Sequence, residues 1–380
     1  MAQARRQTRP ERSTLGYLQT RPWNVVILSS FVVLTVPIAV FQFYHLPGAF
    51  ALAALYAVLL GGTHFVITLG VYLDAGNRRY FSSSLARIAV YFLIPPAILV
   101  LFFIIGYYQL TTTDGRTPLS AIAAVFLFSS AVKALDYLHV ARQSFGVLQL
   151  FRAPVAHAFP ASQRRFDNAF FVSMAALQQL TFLNGVRNGN PEFSVNPLSA
   201  GLFVIAAVCL LAIVMNFVRA ATRTPDRRTW LGSFGYFTLQ AASAALPIAR
   251  AGLYTASLAM HYVEYHVIMF PRLFRHAAAR EERGATSWLQ RHAVAFYLLA
   301  TVVAIVISRD VLWEPISSRF GPTQSLWFLF NVLNGMFVAH YFLEAFIWKF
   351  RDPYYRRTLA PLYFPQQPLH NEKAGPKSAA

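Results

Sequence analysis

Charged side chains are scarce in this chain, and acidic ones are the scarcest. Only 13% of its 380 residues are charged, and the Asp and Glu residues together number 15. A soluble domain carries about 25% charged residues, so this deficit excludes an ordinary soluble enzyme. Because 56% of the residues are hydrophobic and many form long apolar runs, the composition predicts a helical membrane protein.

Cysteine is almost absent as well. The single cysteine, Cys209, lies in an apolar run, which excludes an intrachain disulfide and favours a simple packing role. A Cys-x-x-Cys-His motif is therefore missing, which excludes covalently attached haem. The chain also has no flavin, nicotinamide or iron–sulfur motif, so any redox reaction must take its electrons from a partner protein or from the substrate.

Ten apolar runs reach or approach the length of about 20 residues that spans a bilayer as a helix. They predict an all-α bundle of about ten transmembrane helices within one domain, 24–350. The runs are 24–43, 48–73, 86–109, 119–150, 168–186, 198–218, 229–248, 252–271, 291–308 and 324–348. A basic N-terminal segment, 1–23, precedes this domain, and we expect an irregular or disordered tail, 351–380, after it.

The distribution of Lys and Arg predicts the orientation of this bundle. With a cytoplasmic N-terminus, most basic residues fall in cytoplasmic connections, as the positive-inside rule requires. The outer connections contain Arg116, Arg187, Arg250, Arg309 and Arg319. We therefore expect cytoplasmic termini and a multi-pass protein of the inner (plasma) membrane. This topology explains the net charge of +18 through contact with the lipid bilayer, without a nucleic-acid partner.

Four histidines, His64, His139, His261 and His340, lie inside apolar runs. Each precedes the basic end of its run by 9 to 14 residues, which is about 14 to 21 Å of helix. Because the predicted topology makes the four helices parallel, the imidazoles are expected at a similar depth. Ionisable groups in hydrocarbon are costly and mark sites or pathways, so the sequence predicts one shared intramembrane site.

Two of these histidines have a glutamate on the same helix face. His340 and Glu344 are four residues apart, and His261 and Glu264 are three apart, which are neighbouring positions on a helix. His266 is about 140° from His261 around a regular helix, so it joins the site only if the following proline bends the helix. We predict that these residues ligate a metal. His266 is either a further ligand or a residue that supports a ligand from behind.

A third acidic residue belongs to the most polar of the runs. Asp136 precedes His139 by three residues and follows Lys133 by three. It is either a further metal ligand or the partner of Lys133 in an ion pair, and the sequence leaves both interpretations open. Arg142, on the same run, either contacts the substrate or extends towards the cytoplasm.

This set of side chains suits a divalent transition metal. Imidazole and carboxylate ligands favour iron, manganese or zinc, and their number exceeds the four that one tetrahedral ion needs, so one or two ions are expected. Iron with open positions activates dioxygen, which concentrates in the bilayer as lipids do. We therefore predict a non-haem iron enzyme that oxidises a lipid, isoprenoid or carotenoid with electrons from a donor protein or from the substrate itself. The residues expected to act on the substrate are Glu264, Tyr265 and Arg142.

The histidine pattern differs from that of membrane desaturases and hydroxylases, since their dense His-x-x-x-His and His-x-x-His-His boxes are missing. Histidines on transmembrane helices resemble the arrangement in bacterial membrane carotenoid dioxygenases, but no motif is shared and no residue assignment follows. Two other classes stay open. One is a haem protein with axial histidines from two parallel helices, and the other is a proton- or cation-coupled transporter that uses the buried charged residues.

Overall fold

Helices make up almost all of the described chain, which confirms the all-α prediction. The computed structural model describes residue 18 and residues 21–112, 119–189, 192–275, 292–306 and 322–364. Within these ranges, the β-structure consists of one isolated antiparallel bridge between Glu192 and Arg250.

The helices of the described residues are labelled in chain order, and segments that continue one another through a π or 3₁₀ turn share a label. The first six are α1 (21–43), α2 (49–73), α3 (Ala75–Phe81), α4 (85–112), α5 (Leu119–Arg152) and α6 (Gln163–Asn188). The others are α7 (Pro197–Arg223), α8 (Arg227–Ala249), α9 (251–275), α10 (Ala293–Val306), α11 (Pro322–Ile347), α12 (Pro353–Thr358) and α13 (Ala360–Tyr363). The ten longest coincide with the ten apolar runs, although α6 begins at Gln163 rather than at 168.

Local sequence signals set the ends of α6, α7 and α8. Gly189 follows α6 with a φ of 67°, a left-handed conformation that glycine adopts without steric cost. Asn196 caps α7, because its side chain accepts a hydrogen bond from the Ser199 backbone while the Ser199 side chain accepts one in return. Asp226 caps α8 by accepting a hydrogen bond of 3.0 Å from the Thr229 N–H. These caps end one helix and begin the next, and the three helices pack side by side.

Helix α9 lies at the centre of the bundle. Its α-helical part, Tyr254–Phe270, is buried on almost every side, as expected of a helix that is apolar around most of its circumference. It contacts α1, α2, α5 and α8. Helix α11 packs along α4 and also touches α2 and α5. The four histidine-bearing helices, α2, α5, α9 and α11, therefore occupy one part of the bundle.

Several helices are long and apolar enough to cross a membrane. By length and composition they are Trp23–Phe43, Leu85–Tyr108, Gln163–Asn188 and Pro197–Arg223. A fifth span results if Leu59–Leu73 and Ala75–Phe81, which meet at a bend of 83°, are counted together. The described residues thus support a membrane protein with four or five qualifying spans, fewer than the ten predicted. Helices α5, α9 and α11 are not among the spans found in the described residues.

The beginning of the C-terminal tail is folded, whereas the sequence predicted an irregular segment from residue 351 onward. Helices α12 and α13 pack against the bundle through Tyr355 and Tyr363, which are both buried. The Tyr363 hydroxyl donates a hydrogen bond of 2.5 Å to the carbonyl oxygen of Ile268 in α9. The prediction is therefore corrected for 353–363. The rest of the tail, 365–380, and most of the N-terminal segment lie outside the described residues.

Candidate metal centre

His64 is placed by an irregular part of α2. A π turn, Ala57–Gly62, ends two residues before it, and such turns recur at functional sites. Gly61 in this turn lies so close to α9 that an added Cβ would meet the Tyr262 ring at 3.0 Å. The small residue therefore permits the close helix approach that brings His64 against α9.

The four predicted histidines meet in one cluster. The Nε2 atoms of His64 and His340 are 2.9 Å apart, and their ring centroids are 4.6 Å apart. The His261 ring lies 5.2 Å from that of His64, and the His139 ring lies 5.4 Å from those of His261 and His340. Side chains from four different helices thus converge in the interior.

Glu344 adds a carboxylate to this histidine cluster. Its Oε2 is 3.3 Å from His139 Nε2, and its Oε1 is 3.8 Å from His340 Nε2. The shorter approach is not aligned as a hydrogen bond, since His139 Nε2 has no hydrogen-bond partner in the described chain. The Nδ1 atoms of His64 and His261 are also buried without a partner there. Buried polar atoms are nearly always paired, so the cluster is suited to a ligand that these atoms would bind.

The donor atoms are spaced as ligands of a metal ion are. They form two overlapping groups, each with its atoms within 4.8 Å of one another: His64, His139 and His261, and His139, His340 and Glu344. Ligands at about 2.1 Å from an ion lie about 3.0 Å apart in cis positions of an octahedron and about 4.2 Å apart in trans positions. The separations of 3.3 and 3.8 Å within the second group fall in this range. The second group has the two imidazoles and one carboxylate typical of non-haem iron oxygenases.

Thr68, a residue that the sequence analysis missed, supports two of these rings. Its Oγ1 lies 2.8 Å from His340 Nδ1 and 2.7 Å from the Tyr265 hydroxyl, and it donates to the His64 carbonyl oxygen at 3.1 Å. The Tyr265 ring packs on His64 with centroids 4.0 Å apart, so Tyr265, predicted to act on the substrate, lies beside the cluster. Thr68 follows His64 by four residues on the same helix face, and this spacing is the signal that identifies it.

Asp136 pairs with Lys133 and belongs to neither group of candidate ligands among the described residues. Its Oδ2 is 2.9 Å from Lys133 Nζ, and its Oδ1 accepts a hydrogen bond from the Tyr341 hydroxyl. The Tyr341 ring stacks on His139 with centroids 4.0 Å apart. Of the two interpretations that the sequence left open, the structure displays the ion pair. Asp136 also fixes the ring on which His139 stacks.

Glu264 has different neighbours from His261, although both belong to α9. It is fully buried, and its polar neighbours are the Tyr236 hydroxyl of α8 and the Gln143 amide of α5. Neither carboxylate oxygen makes a hydrogen bond of ordinary geometry, and neither belongs to the two groups of candidate ligands in the described chain. Positions three apart differ by about 60° around a helix, and here this offset directs the two side chains to different neighbours.

His266 and Arg142 also lie outside the two candidate groups of the described residues. His266 Nε2 faces the carbonyl oxygen of Leu60 at 3.1 Å. The α9 backbone changes to a π turn only at Pro271, so His266 itself stays on a regular α-helix. Arg142 is exposed and donates a hydrogen bond of 2.5 Å to Asn168 Oδ1, which gives it a partner away from the cluster.

The other described histidines do not join the cluster. His45, His157 and His292 are exposed, and His45 lies 3.1 Å from an Arg250 nitrogen.

No family model, curated protein or solved structure matches the chain. The interpretation of the cluster therefore depends on its geometry and on the chemistry of its donor atoms.

Proposed function

We propose that the chain is an integral membrane metalloenzyme that uses non-haem iron, as one or two ions, to oxidise a lipophilic substrate such as a lipid, isoprenoid or carotenoid. The observation that carries the proposal is the buried group of His139, His340 and Glu344, whose donor atoms lie within 4.8 Å of one another. Two imidazoles and a carboxylate leave positions on iron for dioxygen. His64 and His261 complete the ligands of this ion or hold a second one.

The surroundings of the cluster favour an apolar substrate. The helices around it carry large exposed apolar side chains, among them Val32, Phe103 and Val204, so that substrate and dioxygen both arrive through lipid. Hydroxylation or desaturation takes two further electrons from a donor protein. Cleavage of a carbon–carbon double bond into two carbonyl groups takes up both oxygen atoms and needs no further electrons, which suits a chain without a redox motif of its own.

The spacing of the imidazoles favours directly bound metal over haem. Axial nitrogens on opposite faces of one haem iron lie about 4 Å apart with the porphyrin between them. The Nε2 atoms of His64 and His340 are 2.9 Å apart, and the Glu344 carboxylate lies 3.8 Å from His340. A carboxylate at this position supports an ion that is coordinated by the side chains themselves.

We propose further that ten helices cross the inner membrane, with both termini in the cytoplasm. The coincidence of ten long helices with ten apolar runs supports this topology. Because Cys209 is the only cysteine, a Cys209→Ser background allows single cysteines to be labelled with an impermeant maleimide. Arg187→Cys should react in intact cells and Arg223→Cys only after permeabilisation. The opposite pattern would overturn the orientation.

Metal content and the optical spectrum of the purified protein test the metal proposal. We expect one or two iron atoms per chain and no Soret band. His340→Ala and Glu344→Gln should each lower the iron content at least about tenfold. His157→Ala, which removes an exposed imidazole, is the control and should leave the iron content unchanged. Zinc or manganese in place of iron would change the chemistry, haem absorption would favour the haem class, and a metal-free protein would overturn the proposal.

Dioxygen uptake by proteoliposomes tests the oxidative role separately. Uptake should require iron and a lipid extract, and the products identify the reaction. A requirement for an added reductant would indicate hydroxylation or desaturation, and its absence would indicate cleavage. An iron-containing protein that consumes no dioxygen with any extract, with or without reductant, would contradict oxidation, and cation uptake by metal-free protein would favour transport.

A further inference from the structure

A buried arginine near the cluster has no role in the function proposed above. Arg272 belongs to the π turn Pro271–Arg275 at the end of α9 and is only 4% exposed. Its Nη1 donates a hydrogen bond of 2.8 Å to the carbonyl oxygen of Ile347 in α11. Its Nε and Nη2 atoms have no hydrogen-bond partner in the described chain, and it forms none of the ion pairs found there.

An unpaired charge in such a position is strongly destabilising, and buried arginines are therefore nearly always paired. The chain contains its own comparison in Arg152, which is 3% exposed. Arg152 donates hydrogen bonds through Nη1 and Nη2 to the two carboxylate oxygens of Asp167. Arg272 is buried to the same degree and has no such partner among the described residues.

The unpaired atoms of Arg272 form one complete edge of the guanidinium group. The N–H groups of Nε and Nη2 point in the same direction and make the fork that binds two oxygens of a carboxylate or phosphate. The Trp348 and Tyr355 rings lie 5.1 and 5.5 Å from Cζ, and Ile347 holds the other nitrogen. These contacts fix the orientation of the guanidinium group, and its Nε–Nη2 edge has no hydrogen-bond partner among the described residues.

Trp348 links this arginine to the histidine cluster. Its indole Nε1 lies 3.4 Å from Glu344 Oε1, while its ring contacts the Arg272 guanidinium. Along α11, Ile347 follows Glu344 by three residues and His340 by seven, which is about 5 to 10 Å of helix. Arg272 is therefore hydrogen-bonded to α11 one to two helical turns from the positions of the candidate metal ligands.

We propose that Arg272 binds the carboxylate or phosphate group of an amphiphilic ligand whose apolar chain extends towards the histidine cluster. The anion site itself does not depend on a metal. That its ligand is the oxidised substrate rests on the function proposed above. If the bound ligand is the substrate, the substrate is an anionic lipid, such as a fatty acid or an isoprenoid phosphate, and it is oxidised close to its charged end. A free carboxylate or phosphate offers the same chemistry without the chain.

Competition binding on the purified full-length protein in an uncharged detergent tests this proposal. The probes are palmitate and dodecyl phosphate, the uncharged hexadecanol and dodecanol of matching chain length, and inorganic phosphate. The wild-type protein should bind the anionic amphiphiles at least about tenfold more tightly than the alcohols. Arg272→Gln should abolish this preference. Arg272→Lys should retain part of it, because lysine keeps the charge but not the fork, and the exposed Arg219→Gln should retain it fully.

Folding of the variants is controlled by their melting temperatures. Arg272→Gln removes an unpaired buried charge, so without ligand it should melt at or above the wild-type temperature, whereas the loss of a purely structural arginine would lower it. Equal binding of charged and uncharged amphiphiles by the wild type, or an unchanged preference in Arg272→Gln, overturns the proposal. Inorganic phosphate that binds as tightly as dodecyl phosphate supports the anion site and identifies a free anion as its ligand.

Iron content measured on the same preparations separates the two proposals. A wild-type protein that prefers the anionic amphiphiles but holds no metal supports the Arg272 site and overturns the proposed function. A wild-type protein that holds iron but does not prefer them overturns the Arg272 site alone. Arg272→Gln should keep its iron, because it removes no candidate ligand.

Discussion

The hydroxyl of Thr68 influences which nitrogen of His340 carries the proton. A hydroxyl has one proton to donate and two lone pairs with which to accept. When Thr68 donates to the His64 carbonyl oxygen at 3.1 Å, its lone pairs are left to accept from the two groups beside it, His340 Nδ1 at 2.8 Å and the Tyr265 hydroxyl at 2.7 Å. In this hydrogen-bond pattern we infer that His340 carries its proton on Nδ1. Nε2 then keeps the lone pair that a metal ion requires.

Thr68→Val is therefore expected to weaken metal binding without removing a ligand. The substitution replaces the hydroxyl with a methyl group of similar size, so His340 Nδ1 and the Tyr265 hydroxyl both lose their contact with Thr68. Loss of such a supporting group lowers metal affinity about 10- to 100-fold, or by about 1.4 to 2.8 kcal/mol. Thr68→Ser keeps the hydroxyl and should restore most of the affinity. Tyr265→Phe removes only one of the two donors and should have a smaller effect.

Iron retention against increasing chelator concentrations measures this change. Thr238→Val is the matched control, because Thr238 is exposed and, among the described residues, its hydroxyl donates to its own helix, to the Phe234 carbonyl oxygen at 3.0 Å. The reasoning is refuted if Thr68→Val retains iron to within about twofold of the wild type, well short of the expected change. It is also refuted if Thr68→Ser loses as much as Thr68→Val, since the hydroxyl would then be irrelevant.

Two further predictions concern packing and the buried charge network. Gly335→Ala should lower the free energy of unfolding by about 1 to 3 kcal/mol, because its Cβ would lie 2.7 Å from that of Phe102 in α4. Gly146→Ala, with no atom within 4 Å of the new Cβ, is the control and should leave the free energy of unfolding unchanged or raise it by up to about 1 kcal/mol. If the two variants proved equally stable in reversible denaturation, this would argue against close packing of α4 and α11. Arg152→Met should cost about 3 to 5 kcal/mol, since it leaves the Asp167 carboxylate buried without its positively charged partner and with only the Gln149 and Gln163 amides as described donors. A loss below about 1 kcal/mol in the same denaturation would mean that the pair is not required.

The sequence predicted the fold class and the convergence of histidines for a simple physical reason. Scarcity of charge and runs of apolar residues are properties of the chain itself, and they indicate helices without knowledge of their neighbours. The similar distances of His64, His139, His261 and His340 from basic helix ends predicted a common depth, and the structure brings their rings together. Their role as metal ligands stays a prediction.

The carboxylates could not be assigned in the same way. Glu264 and Glu344 both follow a histidine by about one helical turn, so the spacing treats them alike. Glu344 approaches His139, which belongs to another helix, whereas Glu264 has Tyr236 and Gln143 as its polar neighbours. The difference arises from the rotation of α9 and α11 within the bundle, which depends on all their packing partners. A spacing rule describes one helix and contains no information about that rotation.

The buried charges of the described chain fall into two kinds, and the division itself argues for ligands. Some have an oppositely charged partner within the chain. These pairs are Lys133–Asp136 and Arg152–Asp167. Others, the Glu344 carboxylate with its histidines and the Arg272 fork, leave polar atoms without partners, and Trp348 contacts both. Unpaired buried groups lower stability, and a ligand that binds only the folded protein restores about 2.7 kcal/mol at 100 times its dissociation constant. If both kinds were only structural, saturating metal and anionic lipid would leave the stability of the protein unchanged, whereas two occupied sites would each raise it.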